Sequence, residues 1–170
     1  MRVDQRDFRE WYAAERDGVA RALIVISGDA DLAVECVAEA FGRAYERWAR
    51  VSRMASRTGW VYRVALNDMR RWRGKRRREA RLHAAWGEAP PAGLGAADVD
   101  VWRAVASLPD RQREAVVLRY VADLREREVA DAMGISEGAA SAALATARRT
   151  LAGLLAERPE TPDNPVERSR

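Results

Sequence analysis

Cysteine, histidine and lysine each occur once in this 170-residue chain, as Cys36, His83 and Lys75. One thiol cannot close an internal disulfide, and one thiol with one imidazole cannot supply a zinc cluster. His83 has no acidic or sulfur cluster near it in sequence to complete a metal site or a proton relay. Ser27, Ser52, Ser56 and Ser107 lack the G-x-S-x-G setting of a nucleophile elbow. No stretch alternates as a strand does, so no glycine-rich phosphate loop can follow one. Glu35 and Glu39 stand one helical turn apart, and a polar helix face accounts for them. The expectation is a non-enzymatic protein with no metal and no cofactor.

Long apolar runs are missing as well. None approaches the roughly 20 residues that span a bilayer. The opening "MRVDQRDFREWY" has neither the apolar core nor the cleavage site of a secretory signal. A cytoplasmic protein that does not enter the membrane is expected.

What is present is helical. Hydrophobic residues make up 48% of the chain, enough for a real core. Phe8, Trp11, Tyr12, Val19, Leu23 and Ile26 fall at three-to-four spacing and predict a first helix. "SGDAD" is a turn with acidic cap candidates, and a second helix follows with Val34, Val37, Phe41, Ala44 and Trp48 on its stripe. Arg50 to Gly59 reads as a basic loop, and Trp60 to about Arg73 as a third helix with Val61, Ala65, Met69 and Trp72 facing inward. These aromatic stripes are core. "AAWGEAPPAGLGAAD", residues 84–98, is a flexible linker rich in proline and glycine.

A second helical unit follows, with Pro109 near the first position of a longer helix, where its missing N–H costs least. Val129 and Met133 pair on the next helix, and Gly134 suits a tight turn. Ser136 is the N-cap expected for the last helix, and Ile135, Ala140 and Leu144 close the small core. The tail from Glu157 has three prolines in 14 residues and is expected to be disordered.

Charge is distributed unevenly. Arg63 to Arg81 holds nine basic residues against Asp68 and Glu79, a net +7 in a chain of net +4, so the remainder sums to −3. One dense basic segment on a mildly acidic protein suits phosphate binding. Residues 63, 67, 70 and 71 share one helix face, opposite Val61, Ala65 and Met69. Asparagine both donates to and accepts from a base edge, and arginine grips phosphate or stacks on a base. The loop before them could hold an unstacked base while its three arginines track the backbone. This reading needs the ridge around Asn67 to stay open to a strand.

"LAVECVAEAFGRAYERW", then "TGWVYRVALNDMRRWRGKRRRE", then the linker, then "LPDRQREAVVLRYVADLREREVADAMGISEGAASAALATARRTL" resembles the extracytoplasmic-function group of bacterial RNA polymerase sigma factors. It looks closest to the actinobacterial branch, with a "WRR"-type basic end to the third helix. The resemblance implies an all-α fold of two small helical domains joined by a flexible linker, the second a helix-turn-helix of the sigma region 4, winged-helix-like type. Residues 1–83 correspond to the region 2-like domain, 84–98 to the linker, 99–156 to the region 4-like domain and 157–170 to the tail. The implied function is an alternative sigma factor that binds core RNA polymerase and promoter DNA, with a separate anti-sigma protein as a further partner. Arg63, Asn67, Arg70, Arg71, Arg73, Lys75 and Arg76 would meet the minus-ten element. Glu35, Glu39, Arg43 and Arg47 would face core polymerase. Ser136, Ser141, Thr146, Arg148 and Arg149 would meet the minus-thirty-five element.

The chain departs from the family pattern at Val34–Glu35, where an acidic pair is common, and at Ala38, where glutamine is usual. Arg125 replaces a serine cap, leaving Asp123 to serve, or a loss of about 1 kcal/mol. Basic or long side chains are common at the positions of Ser141, Ala143 and Thr146. Alanine cannot donate to guanine, and each lost bidentate pair removes about 1–3 kcal/mol of discrimination. The last helix is therefore expected to dock but to read bases weakly, through shape and backbone. A free-standing helix-turn-helix regulator and a protein-binding module descended from a sigma factor are the competing readings.

Overall fold

The computed structural model describes residues 5–79 and 96–156, with side chains described for 5–73 and 101–156. The expected linker and tail fall largely outside these residues, as do His83 and the side chains of Lys75 and Arg76. Eight helices and no strand occur among the described residues: α1 Gln5–Ser27, α2 Ala30–Glu46, α3 Trp48–Val51, α4 Arg57–Glu79, α5 Ala96–Ser107, α6 Asp110–Tyr120, α7 Glu126–Met133 and α8 Glu137–Ala156.

Local signals set most boundaries. Gly28, at φ +67°, ends α1 in the left-handed region, and Asp29 caps α2 by accepting from the Leu32 N–H at 2.9 Å. Ser56 caps α4, its Oγ accepting from the Gly59 N–H at 3.1 Å. A side chain at Gly59 would put its Cβ 2.7 Å from that Oγ, so glycine is needed here for space. With no proline to stop it, α4 starts earlier and runs further than the apolar spacing predicts.

The N-terminal half packs α1, α2 and α4 around Leu23, Ile26, Phe41, Trp48, Leu66 and Met69. Phe8, Trp11, Tyr12, Phe41, Tyr45 and Trp48 form a continuous set of ring contacts at one end. Two expectations are corrected. Val34 is 57% exposed, because the buried arc of α2 runs through Leu32, Ala33, Cys36, Val37, Ala40, Phe41 and Ala44 and Val34 lies beyond its edge. Trp48 is buried from a separate helix, since the chain breaks at Arg47 (φ −110°, ψ 20°).

In the C-terminal half, α6, α7 and α8 close on Leu118, Val129, Met133, Ala140 and Leu144, with α5 alongside. Gly134 takes φ +69° between α7 and α8, and Ser136 Oγ accepts from the Ala139 N–H at 3.2 Å to cap α8. At α7 the cap position is Arg125, whose guanidinium has no acceptor. The reciprocal half of a capping box survives, with Glu128 Oε2 accepting from the Arg125 N–H at 2.9 Å. Asp123 is not the cap and instead sits at φ +50° in the preceding turn.

The two halves pack on each other. Helix α7 lies along α4, and α6 lies beside the end of α1. Helix α1 has no basic residue in its last turn to balance its exposed carbonyls. Arg73 of α4 and Arg113 of α6 both donate to the Ile26 carbonyl at 3.1 Å, and Arg73 also reaches that of Ser27. Asp110 completes the junction, 2.6 Å from Arg113 and 3.8 Å from Arg73.

Candidate nucleic-acid interface

Helix α4 carries the basic ridge. Arg63 and Asn67 are exposed on it. Arg71 keeps 69% of its side chain in solvent, yet its Nη2 is anchored 2.8 Å from Asp68 Oδ1. Asp68 is 4% exposed, and its Oδ2 lies 3.0 Å from Arg43 Nη1 on α2 without the alignment of a hydrogen bond. The same Arg43 Nη1 donates a hydrogen bond to Asp68 Oδ1 at 3.4 Å, so the two are joined by both an ion pair and a hydrogen bond. One buried carboxylate thus joins α2 to α4 and sets the direction of Arg71.

Arg70 and Arg73 do not face solvent as free cations. Arg70 donates through Nη2 to Glu114 Oε2 at 2.6 Å, through Nε to Oε1 at 3.4 Å, and through Nη1 to the Met133 carbonyl at 3.2 Å. Arg73 is held at the end of α1. The ridge is therefore divided: its Arg63–Asn67–Arg71 part is open, and the Arg70–Arg73 part meets the C-terminal half.

The loop before α4 is similarly mixed. Arg50 and Arg53 are exposed. Arg57 instead stands 5.8 Å from the ring centroid of Trp11 and 5.7 Å from that of Trp48, with Asp7 at 3.8 Å. The Ser56 side chain lies close enough to Glu128 of α7 to act on its carboxyl. Burial alone would push the Glu128 carboxyl up. The Arg125 N–H, the Ser56 hydroxyl and the Arg125 charge together hold it below the usual carboxylate range.

On α2 the outward residues Glu35, Glu39 and Arg47 are exposed beside Val34. Arg43 departs from the expected free surface position, because Asp68 holds it and Glu39 lies 3.6 Å away.

On α8 the outward positions include Ser141, Ala142, Ala145, Arg148 and Arg149, all exposed. Ala143 is half-buried against the core. The Ser136 hydroxyl serves as the helix cap. Thr146 accepts from Arg149 at 3.3 Å, and Arg148 donates to the Tyr120 hydroxyl at 2.8 Å. Sequence reasoning missed Tyr120 and Glu114. The available signal for Glu114 was a carboxylate placed in the apolar register of "EAVVL".

Among the described residues no group of three or more histidine, cysteine, aspartate or glutamate residues could hold a metal ion. No described helix is long and apolar enough to cross a membrane.

Residues 98–151 match the family model for sigma-70, region 4. Over 92% of its length the chain is 27% identical to the probable RNA polymerase sigma factor RfaY of Xanthomonas campestris pv. campestris. The aligned part is 42% of that protein, so the chain spans less than half the length of this relative. The fold is shared with the sigma factor RpoE solved with the anti-sigma factor NepR from Bartonella quintana, at TM-score 0.74 and 19% identity, covering 90% of this chain and 99% of that one. It is shared too with CnrH, solved with the cytosolic domain of CnrY, at TM-score 0.64 and 23% identity, covering 91% and 92%.

Proposed function

We propose that this chain, which carries a sigma-70 region 4 match at residues 98–151 and the fold of two solved sigma factors, is an alternative sigma factor of the extracytoplasmic-function type. It acts without catalysis of its own, in the cytoplasm with core polymerase. The carrying observation is that region 4 match together with similarity to a sigma factor along 92% of the chain.

Residues 1–83 form the region 2-like domain and residues 99–156 the region 4-like domain in this reading. Arg63, Asn67 and Arg71 track the separated strand near the minus-ten element, with Arg70, Arg73, Lys75 and Arg76 extending the contact. Their spacing on one face of α4 supports the assignment. The outer face of α2, through Glu35, Glu39 and Arg47, meets core polymerase. Helix α8 docks in the duplex near the minus-thirty-five element. Ser141 offers a short hydroxyl there, and Arg148 and Arg149 offer phosphate contacts. Its alanine-rich outward face supports weak base readout. The basic end of α4 supports the actinobacterial branch. RpoE and CnrH were each solved with a partner protein, named an anti-sigma factor for RpoE, which supports a dedicated inhibitory partner for this chain as well.

The test is reconstitution. Mixed with polymerase lacking any sigma, the protein is expected to co-purify with it and to start transcripts at discrete sites. Failure to co-purify with core polymerase sinks the proposal.

A further inference from the structure

A buried carboxylate is costly unless its charge is met. Asp68 is buried on α4 and is met by two arginines from different helices. Its Oδ1 accepts from Arg71 Nη2 at 2.8 Å, one turn along α4, and from Arg43 Nη1 of α2 at 3.4 Å. Its Oδ2 lies 3.0 Å from the same Arg43 nitrogen. Two guanidinium groups repel each other, so the shared carboxylate is what lets them converge. The contact on Asp68 uses one nitrogen of Arg71. A guanidinium has five N–H donors in a rigid fork, so Arg71 is held at its inner edge with donors left over at its outer one. Glu39, 3.6 Å from Arg43, is exposed to solvent and so holds that arginine less firmly than buried Asp68 does.

We propose that Asp68 and Arg43 are positioning residues for strand binding that act through Arg71. Asp68 sets the Arg71 guanidinium, and Arg43 braces Asp68 from the side of α2. Neither positioning residue touches nucleic acid. The inference rests on the proposed role of α4 in binding a separated strand, and it deepens that reading by moving Arg43 from the polymerase-facing set into the support of the strand site. Ordering one long side chain on binding lowers affinity by about two- to tenfold. An arginine already ordered in the unbound protein avoids that loss. Charge alone predicts the opposite sign for Asp68, because losing a negative group beside a cationic ridge strengthens attraction for DNA.

The test measures affinity of the full chain, at fixed salt, for a labelled, mixed-sequence single-stranded DNA of about 20 nucleotides. Asp68→Asn is expected to weaken binding about two- to tenfold despite its added positive charge. Arg71→Ala is expected to weaken the parent and to cost less in the Asp68→Asn protein. An Asp68→Asn protein that binds as tightly as the parent or tighter overturns the inference. So does an Arg71→Ala cost that is equal in the two backgrounds. Circular dichroism checks folding, and if Asp68→Asn loses its helices, two Arg43 variants decide the question. Arg43 meets Asp68 through one nitrogen, which Arg43→Lys replaces and Arg43→Gln does not. The cost of Arg71→Ala is expected to shrink in Arg43→Gln and to return in Arg43→Lys, and a cost that is the same in both overturns the inference. The reading beneath it fails separately: Arg63→Ala, Asn67→Ala and Arg71→Ala would then each leave the parent's affinity unchanged. If only Arg71→Ala is without effect, the positioning role alone falls.

Discussion

Arg148 and Tyr120 form a paired contact between α8 and the end of α6. The Arg148 Nε donates to the Tyr120 hydroxyl at 2.8 Å, and its guanidinium carbon stands 5.8 Å from the ring centroid. Tyr120 is 56% exposed and is approached by Arg119 as well, at 5.6 Å. The contact steadies a long cation beside an otherwise small-residue surface.

That surface leads to a gain-of-function prediction. Ser141→Arg adds a long cation at an exposed position in the middle of α8. Affinity for duplex DNA is expected to rise, and the log–log salt dependence to steepen by about 0.9, the value for one added phosphate contact. Titrations at several salt concentrations check this. An unchanged slope would mean that α8 does not approach the duplex.

Gly134→Ala is expected to destabilise the protein by about 1–2 kcal/mol, the cost of placing an L side chain in the left-handed region. A Cβ there meets nothing within 4 Å, so the loss is conformational rather than steric. Urea unfolding measures it.

Glu128 predicts an acid dependence. Its carboxyl is held below the usual carboxylate range in the folded state. The associated stability is therefore present above the ordinary unfolded value of about 4.3 and is lost as pH falls through the lower folded value. Glu128→Gln is expected to be less stable near neutrality and to converge on the parent in acid. Unfolding midpoints across that range check it, and parallel curves would contradict it.

Cys36 is 1% exposed, and its thiol is pushed up to about 11, first by burial and then by the charges of Asp68, Glu35 and Asp29. In mildly alkaline buffer the folded protein is expected to resist maleimide, with labelling only at the rate of unfolding. Mass spectrometry follows the modification. Rapid labelling under native conditions would show the α2 core to be open.

The parts of the fold legible in the sequence are those fixed by near neighbours. Gly134 and Ser136 declare a turn and a cap within three residues, and Phe41 and Met69 declare their faces by period. Val34 misled because a stripe drawn through every third or fourth apolar residue does not fix the centre of the buried arc. For the site, the Arg63–Asn67–Arg71 face follows from helical spacing. The diversion of Arg70 to Glu114, of Arg73 to the end of α1 and of Arg57 to Trp11 and Trp48 does not. Each depends on a partner 40 or more residues away, except Trp48, which folding brings back over the same arginine. A buried-register carboxylate such as Glu114 is the kind of mark that signals such a distant cation.

Asp68 carries a consequence for genetics. It grips Arg43 on α2, the helix proposed to face polymerase, and Arg71 on α4, the helix proposed to face the separated strand. A lesion at Arg43 therefore loosens Arg71, and the reverse, so their phenotypes will not sort cleanly by surface. Epistasis measured through Asp68 would expose the two contacts as one mechanical unit.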